Sequence, residues 1–220
     1  HLHDECKMSV NHSYPSDSLA IIVLAAGRSS RLGQMKQLIK VNDKSLVELQ
    51  LERALKVSSK VYCVLGFNAR QVQARIEHLP INTIINSKWS DGMASSIAAG
   101  VRALTSDIKA VTIVLVDQWQ LTSTDLICHH SYWQGDARAI VVAQTCCDIA
   151  AAVNEKLGPP VLFPQGYFSE LTELTGEQGA KPLLKKYQEL LVKVPLADAF
   201  FDIDTPEQLA QMKIKLSATS

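Results

Sequence analysis

Hydrophobic residues run almost unbroken in two places along the chain, Leu19–Ala25 (LAIIVLA) and Ala110–Val116 (AVTIVLV). A short continuous apolar run is what a strand buried on both faces requires. Val61–Leu65 (VYCVL), Ile81–Ile85 and Ala139–Ala143 read as further strands. Between them the apolar spacing becomes helical. Ser45, followed by Glu48, forms a capping-box signature for a helix reaching about Val57, with Leu46, Leu49, Arg53 and Lys56 on the face turned inward. Ala69–Glu77, Met93–Leu104 and Thr122–His130 follow as helices, the last capped by Thr122 or Ser123. Strands and helices alternating in this way predict an α/β fold, a mainly parallel sheet with helices on both faces.

After Gly158 the rhythm changes. Pro159, Pro160 and Pro164 predict an interruption of regular structure. Phe168–Leu174 and Lys181–Leu190 then read as helices and Leu191–Val194 as a strand. Pro206 opens a last helix at its first position behind a Thr205 cap. There is no internal repeat, low-complexity run or linker composition, so residues 19–220 are expected to form a single domain. Residues 1–18 are polar, lack the apolar centre of a secretory signal, and are expected to form a flexible tail.

Charge narrows the function classes. Lys plus Arg and Asp plus Glu are both 22, so no global basic field exists to bind nucleic acid or a membrane surface. No window reaches the ~18 uninterrupted apolar residues of a membrane span. The five cysteines are odd in number and contain no CxxC pair, which predicts reduced thiols and a cytoplasmic setting. The adjacent Cys146 and Cys147 read as small apolar residues at a strand end.

The chemistry concentrates in the loop after the first apolar run, Leu24-Ala25-Ala26-Gly27-Arg28-Ser29-Ser30-Arg31-Leu32-Gly33-Gln34-Met35-Lys36. Ligands of open parallel sheets bind at the strands' carboxyl ends. Ala25, Ala26 and Gly27 are small enough for a ligand to approach the backbone, whose N–H groups can cradle an anion. Arg28, Arg31 and Lys36 add the cations a triphosphate needs. The spacing is not a Walker loop, since Gln34 follows Gly33. It is not a dinucleotide fingerprint either, because the second glycine is missing; this argues against an NAD(P)-dependent oxidoreductase. Val116-Asp117-Gln118 ends the second apolar strand, and Asp117 there is placed to hold Mg²⁺ against a triphosphate or, alternatively, to cap a turn.

Residues Leu24 to Gly33 with Lys36 resemble the L-A-A-G-x-S-x-R-M/L-G-x-x-K signature of the molybdenum-cofactor nucleotidyltransferase family. Asn86-Ser-Lys-Trp-Ser-Asp-Gly92-Met-Ala-Ser-Ser96 is similar to its N-x-x-W-x-x-G-M-x-x-S segment. Gly158-Pro-Pro-Val-Leu-Phe163, Gly176-Glu-Gln-Gly-Ala-Lys181 and Asp202-Ile-Asp-Thr-Pro-Glu207 resemble three later segments, in the family's order. The resemblance implies a three-layer α/β/α, Rossmann-like fold of the nucleotide-diphospho-sugar transferase type. It also implies Mg²⁺-dependent transfer of a nucleoside monophosphate to molybdopterin, with pyrophosphate released. Arg31, Lys36 and Asp117 would be catalytic. Leu24, Ala25, Ala26, Gly27, Arg28, Ser29, Lys36, Asn86, Gly92, Ser95 and Ser96 would hold the nucleotide, although Ser95 and Ser96 would serve equally as helix caps. Asp117 and Asp204 would hold the metal, with Asp202 an alternative and a helix-capping role open for Asp204. Ala25-Ala26 and Gly158-Pro-Pro-Val-Leu-Phe163 resemble the cytidylyltransferase branch, which implies CTP as donor and a molybdoenzyme of xanthine dehydrogenase type as eventual partner.

The chain departs from that pattern at Val116 and Trp119, where the family carries Gly and Pro, and at Glu177 and Lys181, which stand for Asp and Arg. Trp119 is expected where the acceptor would arrive. If it closes that site, the protein would be a non-catalytic cofactor carrier or chaperone. A cytidylyltransferase acting on a sugar or alditol phosphate is the other alternative. His129 and His130 are expected to complement a helix dipole, and Trp89 and Trp133 to pack.

Overall fold

The computed structural model describes residues 13–145 and 155–218. Cys6, Cys146 and Cys147 lie outside them. The strands are β1 (Leu19–Ala25), β2 (Lys40–Val41), β3 (Lys44–Ser45), β4 (Val61–Leu65), β5 (Asn82–Ile85), β6 (Ala110–Leu115), β7 (Ile140–Gln144), β8 (Leu157–Pro164) and β9 (Leu191–Pro195). The α-helices are α1 (Leu46–Leu55), α2 (Ala69–Ile76), α3 (Met93–Arg102), α4 (Ser123–Ser131), α5 (Phe168–Glu173), α6 (Lys181–Lys186) and α7 (Pro206–Ala218).

Seven strands form one sheet in the order β5-β4-β1-β6-β8-β7-β9. Only β8 runs against its neighbours β6 and β7; the other pairings are parallel. The period-2 rule explains the layers. Leu19, Ile21, Val23 and Ala25 of β1 pack with Val47 and Leu51 of α1, Val72 of α2 and Leu126 of α4. Ala20, Ile22 and Leu24 face the other way, onto Ile97 and Val101 of α3, Leu171 of α5 and Leu183 of α6. The result is three layers, helix–sheet–helix, with every residue of β1 buried.

The caps of α1 and α4 are as the sequence predicts. Ser45 accepts from Glu48 N while Glu48 Oε1 accepts from Ser45 N, and Thr122 forms the same box with Asp125. Thr205 Oγ1 accepts from Gln208 N at the start of α7, so Thr205, not Asp204, is the cap.

Several expectations are corrected. The proline-rich run 159–164 is not an interruption but part of β8. The pairing of β7 with β8 shifts register between Val142 and Ala143, passing over Pro159 and Pro160, the residues that lack an N–H to offer. Helix α1 turns Leu46, Val47, Gln50, Leu51 and Ala54 inward, a face rotated from the expected Leu46, Leu49, Arg53 and Lys56. The last part of the expected tail is fixed to the body: Ser16 pairs with Ser58, and Tyr14 packs against the core. Cys63 is a buried free thiol, its pKa pushed up to about 12 by burial. His129 is fully buried, which lowers its pKa to about 4, so it is a neutral partner of Val141 O and not a cation serving the helix dipole. Trp133 packs as expected, its indole N–H donating to Asp136 O. Among the described residues no helix is long and apolar enough to cross a membrane.

Candidate active site

A cleft of about 1220 Å³ opens at the carboxyl ends of β1 and β6. Its floor is the segment after β1. Leu24, Ala25, Ala26, Gly27, Arg28, Arg31 and Lys36 all line it, as do Gly92 and Ser96 at the start of α3, Asp117 beyond β6, and Asp202 and Asp204 before α7. A Cβ built on Gly27 meets nothing within 4 Å, so the space beside this glycine is open to a ligand.

Lys36 is the centre of the charged part. Its Nζ lies 3.0 Å from Asp117 Oδ2 and 2.8 Å from Asp204 Oδ1. Burial works to lower its pKa, but the facing Asp117 and Asp204 carboxylates outweigh this and raise it. At Asp204 burial opposes ionisation, yet the Lys36 ammonium and the more distant Arg31 hold its pKa below the usual range. Asp202 is pushed the other way by burial and by the neighbouring charges of Asp204 and Asp117. Arg31 approaches Asp204 at 3.8 Å from an exposed position. Arg28 lies over the Phe67 ring, 5.5 Å from its centre.

Side-chain amides hold this arrangement together, and periodicity gives no sign of them. Gln37 Nε2 donates to Ala25 O and Gly27 O, each at 2.9 Å. Gln118 accepts from Leu115 N and donates to Pro159 O and Ala199 O, tying β6 to β8 and to the segment that carries Asp202 and Asp204. Gln50 donates to Gln118 O, and Arg53 to Trp119 O and Leu121 O. The backbone that presents Asp117 is therefore held from both sides.

Not every expected nucleotide residue reaches the cleft. Ser29 has φ 59° and shapes the turn: its carbonyl accepts from Leu32 N and Gly33 N, and its Oγ accepts from Lys36 N. Asn86 donates to Ser95 Oγ and Ser96 Oγ, and Ser95 Oγ donates to Gly92 O. Asn86 and Ser95 therefore fix the entry to α3, leaving Gly92 and Ser96 on the wall. Gly92 has φ +110°, and a Cβ there would sit 2.4 Å from Gly176 O. This contact brings segment 176–181 to the cleft, where Glu177 and Lys181 also line the wall.

Trp119 is the main correction. It does not line the cleft. Its indole is 8% exposed and packs with Leu32, Leu46, Ile203, Leu209 and Met212 beneath α7. The indole lies in that apolar layer and not in the cleft, so the obstruction expected of Trp119 is not seen there. Trp89, expected only to pack, meets Phe67 edge-on and also lines the cleft.

Among the described residues no group of three or more His, Cys, Asp or Glu side chains is gathered for a metal ion. Asp117 and Asp204 nevertheless both reach one cationic nitrogen. Two carboxylates supplemented by phosphate oxygens and water match what Mg²⁺ or Mn²⁺ takes at nucleotide sites.

Residues 21–190 match the model of the MobA-like NTP transferase domain. The chain belongs to that family. The transferase is 30% identical over 200 residues to nicotine blue oxidoreductase of Paenarthrobacter nicotinovorans, covering 87% of this chain and 94% of the relative. It is 28% identical to the purine catabolism protein PucB of Bacillus subtilis, over 89% of this chain and 96% of that one. To the Escherichia coli molybdenum cofactor cytidylyltransferase it is 29% identical over 87 residues, 39% of this chain and 45% of the relative. Among solved structures it resembles a mycobacterial homologue of Rv0371c, with TM-score 0.78, 21% identity and coverage of 93% and 100%. Rv0371C of Mycobacterium tuberculosis in complex with manganese gives TM-score 0.72, 21% identity and coverage of 89% and 97%. These structures share the nucleotide-diphospho-sugar transferase fold with this nucleotidyltransferase.

Proposed function

We propose that this nucleotidyltransferase moves CMP from CTP to a molybdopterin-type phosphorylated acceptor. The observation that carries the reading is the Lys36–Asp117–Asp204 cluster beside an open glycine loop. An acceptor phosphate oxygen attacks the α-phosphorus in line, the bond to the β-phosphate oxygen breaks, and pyrophosphate leaves. A phosphate nucleophile at neutral pH needs no strong base, so positioning and charge neutralisation carry the catalysis. Arg28, Arg31 and Lys36 supply positive charge along the loop. Mg²⁺, held by Asp117 and Asp204, would neutralise triphosphate charge when bound, with Asp202 at the edge of the set. The product would serve a molybdoenzyme of xanthine dehydrogenase type in the cytoplasm.

Ala25-Ala26 ahead of Gly27 and the partial match to a cytidylyltransferase support CTP over GTP. The test is pyrophosphate release with molybdopterin as acceptor: CTP should be the better donor, and equal or better use of GTP rejects the assignment.

A second reading has one observation in its favour. The relative matched over 94% of its own length is named an oxidoreductase. The missing dinucleotide fingerprint therefore does not by itself dispose of hydride transfer on this fold. Saturable NADH or NADPH binding, with no binding of any NTP, would establish that reading over the first.

A further inference from the structure

One buried group in the cleft has no part in the reaction above. Gln37 follows Lys36, lines the cleft and is 1% exposed. Its Nε2 donates to two carbonyls of the glycine loop, Ala25 O and Gly27 O. The amide orientation is fixed, since the reverse assignment would set Oε1 against two carbonyl oxygens. Oε1 itself is buried without a hydrogen-bond partner among the described residues. A buried acceptor left unpaired is costly.

Peptide geometry gives the consequence. In a trans peptide the C=O and N–H point in opposite directions. The peptide that carries Ala25 O also carries the N–H of Ala26, and the one that carries Gly27 O carries the N–H of Arg28. With both carbonyls drawn to Gln37, those N–H groups are turned away from it. Neither makes a backbone hydrogen bond among the described residues, and both residues line the cleft. Two outward N–H groups, flanked by the Arg28 and Lys36 side chains, suit a polyphosphate anion.

We infer that Gln37 is a positioning residue, which pins the Ala25 and Gly27 carbonyls inward so that the Ala26 and Arg28 amides are presented to the donor's polyphosphate. The inference rests on the nucleotidyltransferase reading. It assigns no contact with substrate to Gln37 itself. Gln37→Met keeps the length of the side chain and removes the donor.

The probe is inorganic tripolyphosphate, which needs no base recognition, titrated into the full chain by calorimetry and by amide NMR. In the wild type, the Ala26 and Arg28 resonances should shift to saturation with the calorimetric Kd. Gln37→Met should raise that Kd about tenfold or more while its Tm stays within a few degrees of the wild type, a split that a purely structural residue would not show. A Gln37→Met Kd equal to the wild type, or wild-type shifts that bypass both amides, overturns the inference. Should Gln37→Met fail to fold, the wild-type amide shifts decide alone. If the wild type binds neither tripolyphosphate nor any of CTP, GTP, ATP and UTP, the nucleotidyltransferase reading fails and takes the inference with it.

Discussion

Lys36 Nζ makes two ion pairs, to Asp117 and Asp204, from a side chain only 17% exposed. Such a pair is screened little by salt, and removing one preorganised contact of this kind costs about 10²-fold or more in rate. Lys36→Ala, and Arg31→Ala beside it, should each lower kcat/KM for the nucleotide by about 10²-fold or more; wild-type turnover in pyrophosphate release would count against both roles. His129 gives a residue-scale prediction about pH. Its pKa falls from 6.5 to about 4 on burial, so the unfolded chain binds the extra proton first as pH drops. Stability from this group is therefore complete above pH 6.5 and declines as pH falls towards 4, by at most about 3 kcal/mol. His129→Gln keeps a donor for Val141 O and does not titrate, so denaturation midpoints measured across that range should fall less steeply. An unchanged slope would remove His129 from the account.

At the scale of elements, the sequence was most legible where one force acts alone. Burial on both faces made LAIIVLA and AVTIVLV readable as β1 and β6, and local capping chemistry placed the starts of α1, α4 and α7. It was least legible where tertiary contacts override a local rule. Pro159 and Pro160 suggested a break, yet a register shift carries β8 past them. The glutamines that brace the site, Gln37, Gln50 and Gln118, bond backbone carbonyls at sequence separations of 10 to 81, and no periodic pattern marks such partners. Trp119 differs from expectation for the same reason: its proximity to Asp117 in sequence points to the cleft, while the apolar layer under α7 holds the indole. Trp119→Ala should therefore act as a core truncation, costing about 3–5 kcal/mol by chemical denaturation. Nucleotide Kd, measured well below the new Tm, should stay near that of the wild type. A changed acceptor KM with unchanged stability would put Trp119 at the acceptor after all.

For the whole molecule, a mainly parallel sheet brings the loop after β1, the end of β6 and the approach to α7 to one edge, although Lys36 and Asp204 are 168 residues apart. The motif order in the sequence indicated that these segments belong together. The sharing of Lys36 by two carboxylates was not visible there, because the notation of a motif carries no distances. On the proposed function, metal-dependent transfer depends on Asp117, while the backbone that follows it is held by Gln50, Arg53 and Gln118 irrespective of its charge. The most direct test is phosphorus NMR of CTP incubated with Mg²⁺, molybdopterin and either the wild type or Asp117→Asn. The wild type should convert CTP to pyrophosphate in step with acceptor consumed, and Asp117→Asn, folded at close to the wild-type Tm, should release almost none. Pyrophosphate released equally by both proteins, or by neither with any of the four NTPs, would contradict the account.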